Sequence, residues 1–146
     1  TPGRTQELIY FGNDGALRLV DMPGYGYAEA PKAKVAEWTK LIHAYLKGRA
    51  NLARVYVLVD ARHGLKESDQ PALEALGEAA VSHQIVLTKT DELKAKELED
   101  RLSTIGAVIS KRAAAFPDIL VTSALKGQGI PELRAAIARL VAERKR

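Results

Sequence analysis

The chain has no cysteine. That excludes a disulfide framework, a cysteine-ligated zinc site and a thiol nucleophile, and it fits a cytoplasmic protein. No apolar run approaches the roughly 18 residues that a membrane-spanning helix needs, so no membrane partner is expected. No charged-then-apolar leader opens the sequence, and nothing points to secretion. Neither sign of charge dominates: 22 Lys and Arg against 18 Asp and Glu leave a net +4, with a pI near 9.4. So mild an excess suits an RNA partner and equally suits a solvated basic face. One further absence concerns a motif. No Gly-Lys pair occurs anywhere, so the phosphate-binding loop Gly-x-x-x-x-Gly-Lys-Ser/Thr is missing.

What is present is a foldable chain. Hydrophobic residues make up 47% of 146, which argues against disorder and predicts one domain over residues 1–146 with a single core. Leu8–Phe11 and Leu17–Val20 read as antiparallel strands around a Gly12-Asn13-Asp14-Gly15 turn. Pro31 opens a helix over 32–47 whose apolar face carries Val35, Trp38, Ile42, Tyr45 and Leu46; Trp38 is read as core. Val55–Val59 is a valine-rich run expected to be buried on both faces, ending at Asp60. Ser68 suits the cap of a helix through Leu76, with Pro71 in its opening turns. Ile85–Leu87 reads as another buried strand, and Ile119–Val121 as the last strand. A helix from about Glu92 to Ala115, with the stripe Leu93, Leu98, Leu102, Ile105 and Ile109, lies between them. Gly127-Gln128-Gly129 is a loop, and Pro131 opens the last helix. Strand and helix alternate from Val55 onward. This predicts an α/β fold: a mostly parallel sheet with helices on both faces and one antiparallel hairpin strand.

Three segments follow apolar runs, and each carries polar residues at a strand end, where open α/β sheets bind ligands. The first is Asp21-Met22-Pro23-Gly24. Asp21 is placed to reach a metal-bound water, and Gly24, without a side chain, lets its N–H approach a terminal phosphate. The same string also reads as a plain Pro-Gly turn. The second is Thr88-Lys89-Thr90-Asp91. A carboxylate accepts two hydrogen bonds side by side, and guanine offers two donors on one edge, its ring N–H and its exocyclic amine. Adenine does not match that pattern. The aliphatic stem of Lys89 suits the purine face while its ammonium stays wet. Asp91 alternatively suits the cap of the helix that follows. The third is Thr122-Ser123-Ala124, where an Ala124 N–H suits the guanine carbonyl and Ser123 braces the loop, or where the chain simply turns. Upstream, the Thr5 hydroxyl sits in a turn before a strand and suits Mg²⁺, a hard cation that favours oxygen. His63 reads as an exposed loop histidine with no assigned role.

Together with Thr1-Pro2-Gly3-Arg4-Thr5-Gln6, Asp21-Met22-Pro23-Gly24-Tyr25-Gly26-Tyr27 and Asp60-Ala61-Arg62-His63-Gly64-Leu65-Lys66, these strings resemble the EngB (YihA/YsxC) family of bacterial GTPases, over essentially the whole chain. The resemblance implies a Ras-like domain that binds GTP and GDP with Mg²⁺, assists assembly of the large ribosomal subunit, and is needed for cell division and septation. It places Thr5 on Mg²⁺ as the switch I threonine, with Gly3 and Arg4 in the same nucleotide-contacting stretch. It places Asp21 on the metal side and Gly24 at the γ-phosphate, with Met22 and Pro23 between them. Thr88, Lys89, Thr90 and Asp91 would hold the base, with Thr122, Ser123 and Ala124 behind it. Tyr25 stands where Ras-like enzymes keep a water-positioning glutamine, so slow hydrolysis is expected. A monomer is expected, and the catalytic residue stays unassigned.

In that family the missing phosphate-binding loop precedes the switch I stretch. The expectation is therefore an N-terminally incomplete domain whose first strand, loop and first helix lie upstream of Thr1, roughly 30 or more residues for such a unit. Without that strand the sheet would show two unpaired edges and a slab of apolar surface. The competing reading is a non-hydrolysing GTPase-like module that binds rRNA or a ribosomal protein.

Overall fold

The computed structural model describes Tyr10–Phe11, Leu17–Arg18 and residues 54–144. The first two segments are short strands, β1 (Tyr10–Phe11) and β2 (Leu17–Arg18). They pair antiparallel, with Tyr10 opposite Arg18 and Phe11 opposite Leu17, as the expected hairpin requires. The turn at 12–15, the helix at 32–47, and the segments 1–6 and 21–27 lie outside the described residues.

Beyond residue 54 the elements alternate as the periodicity predicts. They are β3 (Val55–Asp60), α1 (Gln70–Glu78), β4 (His83–Thr88), α2 (Ala95–Ile109), β5 (Leu120–Val121) and α3 (Ile130–Arg144). The three strands form a sheet of order β3-β4-β5. The middle strand, β4, is buried from His83 through Leu87, as suits a strand covered on both faces. β4 and β5 run parallel, with Val86 opposite Leu120 and Leu87 opposite Val121. β3 runs the same way: the Val55 N–H donates to the Ser82 carbonyl at its start, and the Ala61 N–H donates to the Thr88 carbonyl at its end, both at 2.9 Å. All three strands therefore finish at one edge of the sheet.

The described residues divide into two units. One holds β1, β2, residues 54–55 and Lys66–Ser82; the other holds Tyr56–Leu65 and residues 83–144. Buried apolar residues of the first are Val55, Ala72, Leu73, Ala75, Leu76 and Val81. Those of the second include Tyr56, Val57, Val59, Ile85, Val86, Leu87, Ile105 and Ile109.

Several expectations need correction, each for a local reason. The N-cap position of α1 falls on Asp69, one residue past Ser68. Glu67–Asp69 forms a 3₁₀ turn, the Asp69 carboxylate accepts the Lys66 N–H at 2.7 Å, and α1 continues to Glu78. β3 is not buried on both faces, because Leu58 is 65% exposed. β3 is also an edge strand among the described residues. β4 extends back to the polar His83 and Gln84 because their groups find partners. The His83 N–H donates to the Ala114 carbonyl and its carbonyl accepts the Phe116 N–H, while Gln84 Nε2 donates to the Asp118 carbonyl. The long helix is shorter at both ends. Thr90–Glu92 is a 3₁₀ turn, Leu93 is extended, and Glu97 accepts the Lys94 N–H to open α2 at Ala95. At the other end, Ala115 is drawn into a parallel bridge with His83, so the helix stops at Ile109. Of the expected stripe, Ile105 and Ile109 are buried, and Leu93, Leu98 and Leu102 are half-buried.

Two glycines after β5 separate backbone strain from crowding. Gly127 (φ +71°) faces open space, whereas at Gly129 (φ +75°) a Cβ would run into the Val121 carbonyl. Left-handed strain alone costs on the order of 1 kcal/mol for alanine. Gly127→Ala should therefore lower the unfolding free energy by about 1 kcal/mol. Gly129→Ala should lower it by at least about twice that, because the neighbouring backbone must also shift. Denaturant unfolding of the two variants checks the difference, and equal losses would contradict it.

Candidate functional site

At the end of β4, Thr88 Oγ1 donates to the Val59 carbonyl at 3.4 Å, and the chain then turns sharply on Lys89, whose φ of 57° is left-handed. A non-glycine residue there is strained by about 1–2 kcal/mol, so neighbouring bonds must hold the turn. They come from β5. Thr90, buried, donates to the Thr122 carbonyl through both its N–H (3.3 Å) and its Oγ1 (2.9 Å). Thr122 in turn donates to the Leu87 carbonyl through its N–H (2.8 Å) and Oγ1 (2.7 Å). The two threonines thus stitch the loop after β4 to the loop after β5.

The stitching brings Asp91 to Ser123. Ser123 is fully buried, and its Oγ donates to Asp91 Oδ1 at 2.6 Å, across 32 residues of sequence. The same Oγ accepts the Lys126 N–H at 3.2 Å, and the Ser123 N–H donates to the Gln128 carbonyl at 2.9 Å. Asp91 is therefore not the cap of α2; Lys94 holds that position. Ser123 occupies one of the roughly four acceptor positions of the carboxylate, so two parallel donors still have room.

A charged cluster flanks the turn. Asp60 receives a fork from Arg62, with Nε at 3.0 Å from Oδ1 and Nη2 at 2.7 Å from Oδ2, and also accepts the Arg62 N–H at 2.9 Å. The guanidinium bonds hold the Asp60 carboxyl at about 2, below the ordinary value of 3.8, against a smaller opposing push from desolvation. Lys89 Nζ lies 3.8 Å from Asp60 Oδ2, and Arg62 Nε lies 3.2 Å from Glu92 Oε2. From α2, Arg101 Nη2 donates to the Arg62 carbonyl at 3.2 Å and Nη1 to the His63 carbonyl at 3.5 Å. Gly64 (φ +69°) lies against that arginine so closely that a Cβ would come within 2.8 Å of Arg101 Cδ.

Of the residues singled out by sequence, Thr88, Lys89, Thr90, Asp91, Thr122, Ser123 and Ala124 come together at the ends of β4 and β5. Gly3, Arg4, Thr5, Asp21, Met22, Pro23 and Gly24 lie outside the described residues. So do both residues expected on Mg²⁺. Among the described residues no group of three or more His, Asp or Glu is placed to hold a metal. Sequence reasoning gave no role to Arg62, Glu92 and Arg101. The Asp60-x-Arg62 spacing is a visible local signal, but Glu92 and Arg101 reach Arg62 only through the fold.

Comparison with known proteins identifies the class. No family model matches the chain. Two solved structures share the fold, both a translation elongation factor SelB of Methanococcus maripaludis. The complex with the GTP analogue GppNHp gives a TM-score of 0.65 at 21% identity, covering 85% of this chain and 25% of that one. The apo form gives 0.62 at 19% identity, covering 86% and 26%. This chain thus spans about a quarter of the length of those factors. The likeness shows the fold, a mostly parallel sheet with helices. Curated relatives make the assignment specific. A protein named "Probable GTP-binding protein EngB" from Nitrobacter hamburgensis is 60% identical over 148 residues, which is 100% of this chain and 68% of that protein. Its namesake from Rhodopseudomonas palustris (strain BisB5) is 62% identical over 146 residues, 99% of this chain and 67% of that protein. The chain belongs to the EngB family of GTP-binding proteins.

The ion pair at the end of β3 has a measurable signature. Asp60 is ionised in the folded state down to about pH 2. Its contribution is complete above the unfolded value near 3.8 and is lost as the pH falls from there to about 2. Carboxyl NMR should place the Asp60 midpoint near 2, and Arg62→Met should return it toward the ordinary value. A wild-type midpoint near 4 would contradict the fork.

Proposed function

We propose that this chain carries the guanine-recognising part of a GTPase that hydrolyses GTP slowly and works as a switch in assembly of the large ribosomal subunit. The observation that carries this reading is the 2.6 Å bond from buried Ser123 to Asp91. It orients a carboxylate at the sheet edge so that its remaining acceptor positions suit the two parallel donors of guanine. Thr88 and Thr90 hold the turn from which Asp91 projects. The Lys89 side chain, 58% exposed, lays its stem along the purine and keeps its ammonium in water. Thr122 fixes the second loop, in which the Ala124 N–H serves the guanine carbonyl.

Thr5 and Asp21 are assigned to Mg²⁺, with Gly3, Arg4, Met22, Pro23 and Gly24 around the phosphates; this rests on the family resemblance. Bound Mg²⁺ would neutralise charge on the phosphates. Residues 1–146 are assigned to one GTPase domain. The partners proposed are GTP or GDP and the large ribosomal subunit or its precursor, met by a cytoplasmic monomer whose action is needed for cell division and septation. Family membership and the mild basic excess support these assignments. No helix among the described residues is long and apolar enough to cross a membrane.

Titration of the purified protein should show a clear preference for GDP over ADP, and no preference would sink the reading. Asp91→Asn should lower guanine affinity at least about tenfold, the scale of a lost hydrogen bond to a charged group. It should raise relative affinity for xanthine nucleotides, in which a carbonyl replaces the amine donor. Ser123→Ala should weaken GDP about tenfold without admitting xanthine, because Asp91 keeps its charge and loses its brace.

A further inference from the structure

The Asp60–Arg62–Glu92 cluster lies outside the residues assigned to the nucleotide, yet it touches the base turn on both sides of Asp91. Lys89 precedes Asp91 by two residues and approaches Asp60 Oδ2 at 3.8 Å. Glu92 follows it directly and approaches Arg62 Nε at 3.2 Å. Arg62 and the residue after it are held at three points. Asp60 takes the Arg62 fork, and the backbone carbonyls of Arg62 and His63 accept from Arg101 of α2. Gly64 fits against the Arg101 side chain where a Cβ would not. The turn it steadies contains a strained, left-handed Lys89, a conformation that persists only when its surroundings over-determine it.

We infer that Arg62 is a positioning residue for base recognition: clamped by Asp60 and Arg101, it holds Glu92 and so sets the Asp91 carboxylate for guanine before nucleotide arrives. The inference rests on the base-site reading above and extends it to residues that do not touch the base. The low carboxyl pKa at Asp60 agrees with a permanently charged clamp at neutral pH. Arg62 is 41% and Glu92 47% exposed. An ion pair so open to water contributes little to global stability, which suits a role in placing the loop.

Inosine nucleotides provide the test, because hypoxanthine keeps the ring N–H and carbonyl of guanine but lacks the exocyclic amine. The ratio of GDP to IDP affinity therefore reports the second hydrogen bond of Asp91. The wild type should favour GDP over IDP by roughly tenfold or more. Arg62→Met should reduce that ratio about three- to tenfold, and Glu92→Gln should reduce it in the same direction. The double variant should be no worse than Arg62→Met, since both act through one contact. Arg62→Lys, which keeps the charge and loses the fork, should recover only part of the ratio. A defect of folding alone would weaken GDP and IDP equally and leave the ratio intact. If the wild type prefers GDP to ADP while Arg62→Met keeps the GDP/IDP ratio within twofold, the positioning role is overturned and the base site stands. Additive losses in the double variant overturn it as well. A wild type with no preference for GDP over ADP removes the base site and this inference together.

Discussion

The bond from Ser123 Oγ to Asp91 Oδ1 exists because β4 and β5 are parallel and in register. Pairing Val86 with Leu120 and Leu87 with Val121 makes the two strands end at the same level. Thr122, one step past Val121, and Thr90, two past the end of β4, then bond across the gap. Thr122 donates twice to the Leu87 carbonyl, and Thr90 donates twice to the Thr122 carbonyl. Buried hydrogen bonds of this kind contribute about 1 kcal/mol each and cost more than that when broken singly. Four of them on two carbonyls leave little freedom for the loops they join. Asp91 and Ser123 are carried into contact by that geometry.

The described elements hold the turn that carries Asp91 from two directions. On one side, neutral hydroxyl and amide bonds from β5 tie the turn down. On the other, the charged cluster at the end of β3 holds its flanks. These two kinds of support differ in their response to solution conditions. The buried threonine bonds are insensitive to salt. The exposed ion pairs weaken as the ionic strength rises.

Much of this was legible in the order of residues. The alternation of apolar runs with helical segments predicted the parallel sheet. The position of Thr88-Lys89-Thr90-Asp91 and Thr122-Ser123-Ala124 directly after apolar runs predicted that they stand at strand ends. Where the reading failed, hydrogen bonds and exposure that the apolar pattern does not encode decided the outcome. Polar His83 and Gln84 joined β4 because the backbone of 114–118 met them. The helix after Asp91 began at Ala95 because Glu97 captured the Lys94 N–H. Leu58, placed by its valine neighbours in a doubly buried strand, is exposed.

By itself, the sequence determined which residue types were available and where along the chain they fell. A carboxylate, a serine and two threonines sat after two strands, with no cysteine and no Gly-Lys pair anywhere. Those residues in that order, read with the strings that resemble the EngB family, pointed to a GTPase. Only the tertiary structure decided that Asp91 faces Ser123 and does not cap the next helix. Only it brought Arg62 to Glu92, and Arg101 to the turn beneath them. A hydrogen bond or ion pair requires atoms within about 3–4 Å. Sequence periodicity places residues on a face or at a strand end, and the pairing of strands closes the final distance.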